Sequence, residues 1–96
     1  MIKTIQSMGM DERISIIREG RNILHECRNG IIRAVVMQTT DGRYYALMLS
    51  SEGTGSAVFR RTSDMKKILT VYRRIEQHIK NDDRTYDELT WMLNSI

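Results

Sequence analysis

Residues 22–51 read NILHECRNGIIRAVVMQTTDGRYYALMLSS, and two dipeptides within them decide the fold: Asn29-Gly30 and Asp41-Gly42. A two-residue type I′ hairpin turn needs positive φ at both central positions, which Asn, Asp and Gly tolerate best, and here each dipeptide is flanked by apolar runs. Strands are therefore expected near residues 22–28, 31–40 and 43–51. Pairing outward from the first turn sets Cys27 opposite Ile32, His25 opposite Ala34 and Ile23 opposite Val36. The second turn sets Val36 opposite Leu47, Ala34 opposite Leu49 and Gln38 opposite Tyr45.

Because side chains alternate along a strand, this register sorts them onto two faces. Ile23, His25, Cys27, Ile32, Ala34, Val36, Tyr45, Leu47 and Leu49 share one face, mostly apolar as a core face should be. Leu24, Glu26, Arg28, Arg33, Val35, Met37, Thr39, Tyr44, Ala46, Met48 and Ser50 share the other, with Glu26 directly across from Arg33 as an ion pair.

Beyond this hairpin pair, Glu52-Gly53-Thr54-Gly55 reads as a looser turn into a fourth strand, Ser56 to Thr62. Ser63-Asp64 then caps a helix in which Met65, Ile68, Leu69, Tyr72, Ile75 and Ile79 recur at helical spacing, and Asn81-Asp82-Asp83 breaks it. A last helix starts at Thr85, where Thr-Tyr-Asp-Glu fits a capping box; Trp91 or Met92 is expected to seal an edge of the core. On the N-terminal side, Asp11 to Glu19 reads as a short helix ended by Gly20, and Ile2 to Gln6 as a flanking strand. The helical stripe that would carry this first helix on to Cys27 yields to the turn signal at Asn29-Gly30.

The expected fold is a single α+β domain over residues 1–96: an N-terminal helix, a four-stranded antiparallel meander, a long amphipathic helix packed on the sheet and a short C-terminal helix. A chain with 41% hydrophobic and 28% charged residues has enough apolar surface for one core and too little charge for disorder. Cys27 is the only cysteine, so no internal disulfide is available and a reducing, cytoplasmic setting is expected. No apolar run reaches the roughly 20 residues of a membrane helix, and the N-terminus lacks the pattern of a secretory leader.

Little in the chain reads as catalytic. His25 and Cys27 sit about 7 Å apart at strand spacing, but on the core face, where a thiol is inert and a histidine packs. Metal binding needs three or four ligands; there is no second cysteine, and His78 lies on a distant helix. Gly53-Thr54-Gly55 lacks the lysine and the strand-to-helix context of a phosphate loop. Asp82-Asp83 and Asp87-Glu88 fit a helix breaker and a helix N-terminus. The expectation is a non-enzymatic protein with no cofactor, no metal and no small-molecule substrate.

Charge is more informative. Between Ala57 and Lys80 stand seven basic residues, Arg60, Arg61, Lys66, Lys67, Arg73, Arg74 and Lys80, against Asp64 and Glu76; this +5 leaves −2 for the rest of a chain of net charge +3. Such a surface suits nucleic acid or an acidic protein partner, its structural alternative being a solvated helix face. A second candidate is the outer sheet face, where Leu24, Arg33, Val35, Met37, Tyr44 and Met48 mix cations with flat or soft apolar groups. That mixture suits a stacked single strand, or a protein interface such as a homodimer or an inhibitor, unless the first helix covers it.

In element order alone, residues 22–80 resemble the repeating unit of the Whirly and PUR-type single-strand-binding proteins. That resemblance implies binding through the sheet and dimerisation. The same layout also resembles small viral inhibitor proteins of helix, meander and helix order, which would imply blocking a partner. The leading expectation is a regulatory binding module that engages nucleic acid, or a nucleic-acid-handling complex, through the Arg60 to Lys80 surface.

Overall fold

The computed structural model describes residues 2–4, 23–39 and 42–96. Five strands form one antiparallel sheet: β1 (Ile2–Thr4), β2 (Ile23–Asn29), β3 (Ile32–Gln38), β4 (Tyr45–Ser51) and β5 (Ser56–Thr62), in the order β1-β5-β4-β3-β2. Strands β2 to β5 are the meander expected from the turns, and β1 adds a fifth strand at the β5 edge, pairing Lys3 with Phe59. Two helices follow, α1 (Met65–Asn81) and α2 (Tyr86–Met92), the second running into a 3-10 turn at Leu93–Ser95. The helix expected over Asp11 to Glu19 lies outside the described residues.

The second hairpin has the expected register, with Val36 opposite Leu47, Ala34 opposite Leu49 and Gln38 opposite Tyr45. Asp41 is outside the described residues; Gly42 takes φ +73°, and its N–H donates to the Thr39 carbonyl at 2.9 Å. The first hairpin differs. Cys27 faces Ala34, His25 faces Val36 and Asn29 faces Ile32, so the two-residue turn is Gly30-Ile31 rather than Asn29-Gly30. Gly30 alone has positive φ (+60°), the pattern of a turn with glycine first. Asn29 is held in the strand by its side chain, whose Nδ2 donates to the Ile79 carbonyl of α1 at 3.0 Å.

This slip amounts to two residues, so it preserves side-chain parity and nearly all of the face assignment. Ile23 is the exception. A register irregularity between Ile23 and His25 places Ile23 opposite Met37 and packs it with the outer-face residues instead of the core face. Arg28, not Glu26, is opposite Arg33, yet Arg33 Nε still reaches Glu26 Oε1 diagonally at 2.9 Å.

The main core lies between the sheet and the helices. Ala34, Val36, Leu47 and Leu49 meet Ile68, Val71, Tyr72, Ile75 and Ile79 of α1 and Leu89 of α2, with Leu93 and Ile96 beyond. Removing a side chain the size of Leu from such a packed site costs about 2–5 kcal/mol, so these residues fix where both helices sit. Helix α1 starts where Asp64 accepts the Lys67 N–H at 3.2 Å. It ends where Asp82 adopts φ +52°, with Asp82 N–H to Ile79 and Asp83 N–H to His78 closing the last turn. The capping box at α2 is complete: Thr85 Oγ1 accepts from Glu88 N–H at 3.2 Å and Glu88 Oε1 accepts from Thr85 N–H at 3.0 Å.

Trp91 does not seal the core. It is 74% exposed, while Met92 packs against the core cluster. Leu89, Leu93 and Ile96 define the inner side of the segment, and at about 100° per residue Trp91 falls opposite them.

Candidate nucleic-acid interface

Amphipathic packing divides α1 in two. Its inner side is spent on the core, which leaves eight exposed positions: Lys66, Lys67, Thr70, Arg73, Arg74, Gln77, Lys80 and Asn81. Five are cations, three are neutral and polar, and none is acidic or apolar. A solvated surface helix usually carries both signs, because Glu/Lys pairs one turn apart stabilise it. The one carboxylate within α1, Glu76, is half-buried; it accepts from the Tyr72 hydroxyl at 3.0 Å and lies 3.7 Å from Lys80 Nζ.

From Lys66 to Lys80 the cations span ~21 Å at 1.5 Å per residue. Lys66, Arg73 and Lys80 follow one another at seven-residue intervals and so form one row along the helix, while Lys67 and Arg74 form a second row about 100° around it. Among the described residues, Lys66, Lys67, Arg73 and Arg74 make no ion pair. Lys66 and Lys67 also occupy the first turn, where the amides point outward and the helix dipole is positive; that turn has no acidic residue.

The two arginines of β5 part company. Arg60 pairs with Leu47 and shares the α1 side of the sheet with Val58, whereas Arg61 points to the opposite face. There its guanidinium lies 4.9 Å from the centre of the Tyr44 ring. The basic surface of α1 thus comprises its five exposed cations; Arg60 lies on the sheet face that α1 packs against, and Arg61 on the opposite one.

On the outer face, Val35, Met37, Ala46 and Phe59 are buried within the chain to 3% exposure or less, with Ile23 and Met48 packed against them. Leu24 and Tyr44 remain exposed at 42% and 38%, and Arg33 is engaged with Glu26.

His25 and Cys27 meet the core through Tyr72. The His25 and Tyr72 rings are 5.7 Å apart, tilted by 34°. Burial pushes the Cys27 thiol up, and burial together with the hydrogen bond to Cys27 raises Tyr72 as well. These groups are held in their protonated forms, opposite to what a thiolate nucleophile requires. No cluster of three His, Cys, Asp or Glu side chains among the described residues is placed to hold a metal ion. No described helix is long and apolar enough to cross a membrane.

An open cleft of about 650 Å³ lies between the β2–β3 turn and the α1–α2 connection, with Ile31 and Ile32 on one wall and Asp82, Asp83 and Glu88 on the other. It lends the end of α1 an acidic border that sequence reasoning about the basic run did not register. The sequence carries the same pattern, since Asp82, Asp83, Asp87 and Glu88 all stand within eight residues after Lys80, with Arg84 among them. No family model, curated protein or solved structure matches the chain.

Proposed function

We propose that the protein is a non-enzymatic binding module that engages nucleic acid through the outer side of α1. One observation carries this reading: the eight exposed positions of a 17-residue helix hold five cations and no carboxylate. Mutual repulsion among the cations, and the placement of Lys66 and Lys67 at the positive end of the dipole, both cost stability. A row of phosphates offsets both costs and releases counterions on binding.

The test is a fluorescence anisotropy titration of the chain with labelled DNA and RNA, single- and double-stranded, at 50 and 200 mM salt. If about four phosphates are contacted, affinity falls about a hundredfold between the two salts. Arg73→Glu with Arg74→Glu removes the binding while leaving the circular dichroism spectrum intact. Absence of binding to every one of these probes at 50 mM salt overturns the reading.

A second reading, a protein–protein module on the outer sheet face, draws on the exposed Leu24 and Tyr44. It expects a solution mass above the 11.2 kDa of one chain, and an assembly indifferent to the Arg73/Arg74 reversal.

A further inference from the structure

We infer that α1 is shaped to lie in the major groove of duplex DNA, an inference that rests on the nucleic-acid reading above and specifies the form of the partner. Around the helix, at about 100° per residue, the row of Lys66, Arg73 and Lys80 and the row of Lys67 and Arg74 flank a strip occupied by Thr70 and Gln77. Cations on both sides and neutral hydrogen-bonding groups between them match a groove whose two walls are phosphate backbones and whose floor is base edges.

Size agrees. A helix with its side chains is about 10–12 Å across and the B-form major groove about 12 Å wide, whereas the A-form major groove of duplex RNA is too narrow to admit side chains for reading. A single strand is recognised by stacking bases on aromatic rings, and none of the eight exposed positions is aromatic; Tyr72 is 2% exposed and faces the core. Gln77 offers the amide that pairs with adenine in the major groove. At the far end, Asp82 and Asp83 follow Lys80 and Asn81, so carboxylates border the strip at the C-terminal end of the helix, and the Asp83 carboxylate is engaged by His78 at 2.7 Å.

The experiment uses the whole chain and a labelled 20-base-pair duplex of mixed sequence. It is set beside its single strand, the same duplex in RNA, and a duplex whose cytosines carry glucosylated hydroxymethyl groups that fill the major groove. Expected results are duplex DNA bound at least tenfold more tightly than the single strand or duplex RNA, and a tenfold or greater loss on the glucosylated duplex. Netropsin, which fills the minor groove, leaves binding within about twofold. Binding that favours the single strand, or that is displaced by netropsin and indifferent to glucosylation, overturns the groove inference. If that binding still falls on reversing Arg73 and Arg74, the broader reading stands without it; if no nucleic acid binds at 50 mM salt, both fall together.

Discussion

Helices α1 and α2 pack on the same core and differ in how charge is placed on their outer sides. In α2, Asp87 and Glu88 sit in the first turn, where the dipole favours negative charge, and the capping box closes on Thr85. Every charge there has a folding rationale. In α1 the Asp64 cap supplies the only carboxylate at that end. Lys66 and Lys67 in the first turn run against the dipole while Lys80 in the last turn runs with it, and the exposed positions repeat one sign of charge. Charges that stabilise their own helix need no partner to account for them, whereas charges that run against it are what the proposed binding would offset.

The contrast breaks most visibly at the shared core. Leu89 is fully buried between α2 and the sheet, so Leu89→Ala is expected to cost about 2–5 kcal/mol. Chemical denaturation measures this, and a cost below 1 kcal/mol would mean that α2 is not anchored as described. Next in size is the cap. Thr85→Ala removes the acceptor for the Glu88 N–H and should cost about 1 kcal/mol in the same assay.

On α1 the sign is expected to reverse. Lys66→Glu and Lys67→Glu place carboxylates at the positive end of the dipole and should each stabilise by about 0.3–1 kcal/mol while weakening nucleic-acid binding. Loss of stability together with loss of binding would show that the lysines serve the fold after all. Asp82→Gly sharpens the same point at the other end. It relieves an aspartate held at φ +52° and withdraws one carboxylate from the C-terminal end of α1, so melting temperature and affinity should both rise, the former reflecting about 1 kcal/mol or less.

Much of this was legible in the sequence because the signals were local. Asp41-Gly42 gave the β3–β4 register, and Asn29-Gly30 gave the hairpin's existence but not its turn, because a tertiary bond from Asn29 to the Ile79 carbonyl draws Asn29 into the strand. No local rule anticipates a contact fifty residues away. Face assignment survived that slip because a shift of two keeps parity, and failed only at Ile23, where the irregularity beside His25 flips it. Of the seven basic residues grouped by sequence proximity, five lie exposed on α1, while Arg60 and Arg61 lie on β5 and, being adjacent strand residues, face opposite ways. Of the two residues expected to seal a core edge, Trp91 or Met92, it is Met92 that packs there; the angle of Trp91 from Leu89 and Leu93 sets it on the solvent side.

The smallest effect tests whether the charges of α2 are as self-sufficient as the comparison holds. Glu88 is depressed below the usual carboxylate range, first by the hydrogen bond from the Thr85 backbone N–H and then by the Thr85 side chain. A carboxyl whose folded pKa is lowered contributes stability that is fully present above its unfolded value and lost as pH falls through the folded one. The glutamine of Glu88→Gln can still accept the Thr85 N–H but carries no charge. The variant should therefore melt below the native chain at pH 7, with the gap closing as the pH is taken below about 4. Thermal melts of the two chains from pH 7 to pH 3 measure that gap. If it persists undiminished at pH 3, the stabilisation at this N-terminus does not come from the charge of the glutamate, and the electrostatic contrast between the two helices loses its footing on the α2 side.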